Sequence, residues 1–158
     1  MKAASVKEIK IELEDRSQKE LLEYCLRLSK FKKENKELLT YLLFESYDEF
    51  EYIKNVKEEV DIQFEEINRN SYYYIKKSIR KILSNVKKHI RYSMKKETEA
   101  DLMVYFCAKL NDFLPPIKNN TALKNLYNRQ IESVKKTILS LHEDLQYDYN
   151  IELENLLS

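Results

Sequence analysis

The side chains able to do acid–base, nucleophilic or metal chemistry in this 158-residue chain are two histidines, two cysteines and 27 acids. His89 and His142 belong to neither a His-x-x-x-His pair nor a Glu-x-x-His pair, the spacings that put zinc or di-iron ligands on one helical face. His89 stands between Lys88 and Ile90 near an expected helix end, a place for dipole interaction or solvent contact. His142, Glu143 and Asp144 are consecutive, so they point around a helix and do not converge. Cys107 with a distant histidine is formally a nucleophile pair. Its neighbours are apolar, however, and a reactive thiol needs an electropositive setting. The adjacent carboxylates Glu58-Glu59 and Glu65-Glu66 do not face each other on a helix. No catalytic residue, metal ligand or cofactor site follows from these residues, and the chain reads as a non-enzyme.

Glycine is absent altogether. A Walker-type phosphate loop and a dinucleotide-binding fingerprint both require it, so both are excluded. Hairpin turns and strand bulges also depend on positive φ, which makes sheet folds a poor expectation. What the chain does offer is polarised charge. Between Ile67 and Lys96 there are ten cations and no acid: Arg69, Lys76, Lys77, Arg80, Lys81, Lys87, Lys88, Arg91, Lys95 and Lys96. Between Glu45 and Glu66 nine acids face only Lys54 and Lys57. A net charge of +1 therefore conceals a basic helix next to an acidic one.

On a helical wheel the basic segment separates Ile75, Ile79, Ile82, Val86 and Ile90 from an opposite arc of cations. Tyr72, Tyr73, Tyr74 and Tyr92 flank that arc. Cations with aromatics beside them are what phosphate contact and base stacking require. The competing reading is a solvated face, neutralised in part by the acidic helix that precedes it. Such surface pairs contribute only about 0–1 kcal/mol each, but they would cancel the potential. Lysine also dominates the stripe and lacks arginine's planar fork. Self-association of basic and acidic faces is a third use of the same polarity.

These residues need helices to position them. Ser5 with Glu8 and Ser17 with Glu20 are capping boxes, opening helices that reach about Glu14 and Lys33. Asn35 is the expected cap of a short helix with Leu38, Leu39, Leu42 and Leu43 facing inward. Asp48 opens a helix carrying Ile53, Val56, Val60, Phe64 and Ile67, and the basic helix follows to about Tyr92. Thr98 is the expected start of a sixth helix, whose seven-residue apolar run Leu102–Ala108 predicts the deepest burial. Pro115 and Pro116 end that region. Thr121 opens what reads as the longest helix, to about Tyr147, and Asp148 a brief terminal one.

The expectation is an all-α domain over residues 1–158: six to eight helices in antiparallel hairpins forming an irregular α–α superhelix, with a compact bundle as the alternative architecture. Cys25 and Cys107 read as buried, reduced thiols of a cytoplasmic protein. No apolar run reaches the length of a membrane span. The segment Glu20-Leu21-Leu22-Glu23-Tyr24-Cys25-Leu26-Arg27-Leu28, continued by Lys32-Lys33-Glu34-Asn35-Lys36-Glu37-Leu38-Leu39, resembles an uncharacterised family of short all-helical bacterial proteins. The helix-pair patterning is also similar to HEAT and armadillo units. Neither resemblance implies an activity or functional residues. The reading that results is a protein-interaction or scaffold module using the charged helical faces of residues 48–96. Its alternative is nucleic-acid binding through the basic helix at residues 69–96, and a homo-oligomer is the remaining partner the pattern admits.

Overall fold

Capping chemistry sets most of the helix starts. In the computed structural model, which describes residues 1–158, Ser5 and Glu8 close a reciprocal box at the start of α1 (Val6–Glu14), and Ser17 and Glu20 close another at α2 (Gln18–Phe31). The remaining helices are α3 (Lys33–Thr40), α4 (Glu49–Glu65), α5 (Tyr72–Ser93), α6 (Lys96–Asn111), α7 (Thr121–Leu139) and α8 (Glu143–Leu157). A π-helical turn, Tyr41–Glu45, follows α3, and a 3-10 turn, Ile117–Asn119, precedes α7. The protein is all-helical, without strands. Where the sequence reading takes 1–158 as one domain, the chain divides into two compact units, Met1–Phe44 and Glu45–Ser158.

In the first unit α2 and α3 form a hairpin. Asn35 does not cap α3, which begins at Lys33; its side-chain amide instead donates to the Leu28 carbonyl at 2.9 Å, tying α3 to the last turn of α2. The inward placement expected of the α3 leucines is overturned. Leu38, Leu42 and Leu43 are exposed, and Leu39 is only half-buried. Cys25 is exposed too, against the expectation of a buried thiol. No residue of α1, α2 or α3 is buried.

The second unit is built around α6, which touches α4, α5, α7 and α8. Its apolar residues point all round, so Leu102, Met103, Val104, Phe106, Cys107 and Leu110 are all buried, as the apolar run requires. Phe64 of α4 lies 5.9 Å from the Phe106 ring and 6.1 Å from that of Phe113. Ile75 and Ile79 of α5 are fully buried.

Thr98 does not start α6, because the helix already runs from Lys96 and the Thr98 hydroxyl is committed to a carboxylate of α4. The helix expected from Thr121 to Tyr147 stops at Leu139, and α8 begins at Glu143 rather than Asp148. Polar side chains stabilise that break. Ser140 Oγ donates to the Thr137 carbonyl at 2.6 Å, Gln146 donates to the Leu141 carbonyl at 2.7 Å, and His142 Nδ1 caps α8. The longest helix is therefore α5, at 22 residues. It ends on Met94 in the left-handed region (φ 57°), the position a glycine would normally occupy.

Candidate functional site

The basic helix α5 presents two unlike faces. Ile75, Ile79, Ile82, Leu83 and Val86 are buried in the core, which turns the arc containing Lys77, Arg80, Lys81, Lys87 and Arg91 to solvent. Tyr73, Lys76, Lys77 and Arg80, spaced 3, 1 and 3, share one side of the first two turns and line a shallow depression of about 320 Å³. The same side continues along the helix through Ser84, Lys87 and Arg91. From Lys76 to Arg91 it extends about 22 Å at the α-helical rise.

The question left by the sequence is where the acids of α4 go: Asp61 goes to α6, Glu49 to the α5–α6 corner and Glu59 to His89 of α5. Lys57 pairs with Asp101 and also stands 5.1 Å from the centre of the Tyr105 ring. Asp61 accepts from Tyr105 Oη at 2.7 Å and from Lys109 Nζ at 2.8 Å. Burial alone would raise Asp61, but the hydrogen bonds from Lys109 and Tyr105 outweigh it and hold the carboxyl below its ordinary value of 3.8. Burial, with the bond to Asp61 and its charge, pushes the Tyr105 phenol up to about 12. Glu49 joins the first turn of α4 to the α5–α6 corner, accepting from Thr98 Oγ1 at 2.6 Å, from Lys95 Nζ at 3.0 Å and from Ser93 Oγ.

The sequence-nominated cations and tyrosines thus separate. Lys95 pairs with Glu49 and Lys96 with Glu99. The Arg69 guanidinium sits 4.6 Å over the Phe113 ring. Lys88 is half-buried. Tyr72 is half-buried as well, its hydroxyl donating to the Pro116 carbonyl at 3.0 Å. Lys76, Lys77, Arg80, Lys81, Lys87 and Arg91 form no ion pair. Beside them Tyr73 is 66% exposed and Tyr74 48%, enough for a base to lie on either ring, and the two rings meet edge-on at 5.3 Å.

That arrangement works against the fold. Lys76–Arg80, Lys77–Lys81 and Lys87–Arg91 are like-charged i,i+4 pairs, and Lys77–Arg80 is an i,i+3 pair. Together they destabilise the helix by about 1–2 kcal/mol. The first turn of α5 contains no acid, so the positive end of the helix dipole adds to the same field.

The remaining chemistry-bearing residues have structural positions. His89 is half-buried between α5 and α4, its Nε2 3.3 Å from Glu59 and its Nδ1 3.2 Å from the Tyr52 hydroxyl. Burial pushes the Cys107 thiol up to about 12, leaving no thiolate at neutral pH. No three His, Cys, Asp or Glu side chains converge in a metal-holding group. No helix is long and apolar enough to cross a membrane. The Glu49 and Asp61 clusters went unnoticed in the sequence because their members lie 40 or more residues apart, and only helix packing brings them together. Comparison of the chain with protein-family models, with characterised proteins and with solved structures finds no match.

Proposed function

We propose that this protein is a non-enzymatic binding module whose α5 face tracks the phosphates of single-stranded nucleic acid without reading sequence. One observation carries the proposal: six cations, five of them exposed and Lys76 half-buried, line one side of one helix with no acid among them, although an acidic helix precedes it in the chain. A polyanion removes the resulting self-repulsion and releases its own counterions on binding. The exposed Tyr73 and Tyr74 at one end favour a single strand, whose bases are free to stack. Four of the six cations are lysines, which neutralise phosphate as point charges rather than forking onto base edges. The leading expectation from the sequence, a protein partner recognised by the charged faces of residues 48–96, is weakened on its acidic side, where Glu49 and Asp61 are engaged with the α5–α6 corner and α6.

The test is anisotropy of labelled single-stranded RNA, single-stranded DNA and duplex DNA at physiological salt, with wild type and Arg80→Glu/Arg91→Glu. Both arginines are exposed and their reversal replaces like-charged pairs with Lys76, Lys77 and Lys87 by opposite ones, so the variant should keep the circular dichroism of wild type and melt no lower. Binding with single strands preferred, abolished by the double reversal, is the expected result. Truncation by Tyr73→Ala should remove about 1–3 kcal/mol if a base stacks there. Absence of binding even at low salt would overturn the proposal, as would undiminished binding by the double reversal.

A further inference from the structure

The α2–α3 hairpin has more apolar surface than its fold uses. On a 100° wheel the apolar residues of α2 from Leu21 to Phe31 sweep roughly 220°, while Lys19, Glu20, Glu23, Arg27 and Lys30 share roughly 100°. α3 covers a far narrower arc, α1 reaches α2 only beside Tyr24, which shares a shallow groove with Ile9 and Leu13, and only Leu21 and Ser29 of α2 become even half-buried. The nine large apolar side chains exposed between Leu22 and Phe44 keep 37% to 77% of their surface in water. Leu22 and Leu26 point away from the rest, whereas Tyr24, Leu28, Phe31, Leu38 and Leu42, on the side of the α2–α3 groove, together expose roughly 500 Å², comparable to the apolar share of the 800 Å² or so that each partner contributes to a stable interface.

The pattern within that surface favours one occupant. Leu21, Tyr24, Leu28 and Phe31 are spaced 3, 4 and 3, an a/d seam along α2. If two such seams run antiparallel, each layer sets a leucine against an aromatic: Leu21 against Phe31 of the second copy, and Tyr24 against Leu28 of the second copy. A parallel pairing would instead stack ring on ring and leucine on leucine. Next to the seam, Cys25 and Leu28 of α2 and Leu38, Leu39 and Leu42 of α3 line a groove of about 200 Å³ able to receive side chains from the facing hairpin. The net charge of residues 1–44 is only +2, so two copies meet there without the repulsion that two α5 faces would suffer.

We infer that a second copy of this chain covers the α2–α3 hairpin, forming a two-fold dimer whose α2 helices run antiparallel across the Leu21–Phe31 seam. The axis then falls near the middle of α2, which brings Cys25 of each copy beside the other.

The full-length protein provides the test. Light scattering after gel filtration should give twice the 19.1 kDa of one chain. Leu28→Glu, at a position already 60% exposed, should halve that mass. Leu139→Glu, on an exposed site of α7, should leave it unchanged. A short bismaleimide should join two wild-type chains covalently, and should do so in Cys107→Ser but not in Cys25→Ser. A monomer at every concentration up to 100 µM, or about that, would overturn the inference given the affinity such an area supports. So would a dimer untouched by Leu28→Glu and not cross-linked through Cys25. If Leu28→Glu unfolds, the bismaleimide result on the otherwise native chain decides alone.

Discussion

Removing two of the unpaired α5 cations should change the salt dependence of binding by a calculable amount. On a single strand each phosphate neutralised contributes about 0.7 to the slope of log K against log salt. Six unpaired cations on one helix face therefore set a slope near −4, so binding should weaken about 300-fold between 50 and 200 mM salt. Arg80→Gln/Arg91→Gln removes two of the six without introducing repulsion. The slope should fall to about −3 and the loss over the same range to about 50-fold. Neutralisation of Lys135 provides the control, since it lies on α7 and is already paired with Glu132 at 2.9 Å. The assay is fluorescence anisotropy of a labelled single-stranded oligonucleotide at four salt concentrations, with folding checked by circular dichroism at each. A wild-type slope shallower than about −1 would refute phosphate tracking. A normal slope that the double substitution leaves unmoved would refute its assignment to α5.

Four further outcomes follow from the same geometry. Met94→Gly should stabilise the protein by about 1 kcal/mol, because Met94 is 87% exposed and a side chain in the left-handed region costs about 1–2 kcal/mol; thermal melting should rise by about 2–4 °C, and a fall would show that the α5–α6 corner is not strained. Glu49→Ala should cost about 2–4 kcal/mol by urea titration, since it deprives the fully buried Thr98 and the buried Ser93 of their acceptor; a loss under about 0.5 kcal/mol would show that the corner is held by apolar packing instead. The carboxyl of Asp61 is held below its ordinary 3.8, so its contribution is present above that value and disappears as pH falls through the lower, folded one; the acid-induced loss should be smaller in Asp61→Asn, and identical acid titrations would remove the Lys109–Asp61–Tyr105 cluster from the account. In Cys25→Ser, Cys107 should react with a thiol reagent at pH 8 only when the protein is unfolded, because burial pushes that thiol up to about 12; fast reaction in the native state would contradict that burial.

How much was legible depended on how local the deciding interaction is. The boxes at Ser5–Glu8 and Ser17–Glu20 and the cap at Asp48 are satisfied within four residues, and each opens its helix where expected. The burial of α6 was equally legible, because an apolar run round the whole circumference leaves no solvent side. The α7–α8 break was not, since Ile138, Leu141 and Leu145 keep a helical step across it and only Gln146 reaching back reveals the corner. Asn35 and Thr98 misled for a different reason. Each is a good capping residue whose polar group is held elsewhere, on the Leu28 carbonyl and on Glu49. In the first unit, periodicity located the apolar residues of α2 and α3 but wrongly placed the α3 leucines and Cys25 inside, because a period specifies a face and not what lies against it.

The candidate site lies between these cases. Its cations and its lack of acids can be counted in the chain, but whether that count matters turns on a tertiary fact, namely which helix receives the α4 carboxylates. Adjacency in sequence suggested α5. Packing sends Asp61 to Lys109 and Tyr105, and Asp101 to Lys57, so α4 and α6 neutralise each other. A single register shift of α4 against its neighbours would have turned those carboxylates elsewhere and left the second unit a different potential from the same composition. The α4–α6 contact thus accounts for part of the exposed charge on α5, since Asp61 spends its charge on Lys109 while Glu59 meets α5 at His89, near its far end. Moving an acid onto α5, as Ser84→Glu would one turn from both Arg80 and Lys88, should accordingly stabilise the helix by about 0.5 kcal/mol while weakening oligonucleotide binding. Those opposite signs, read by melting and anisotropy on one variant, separate a surface kept for a ligand from one kept for the fold.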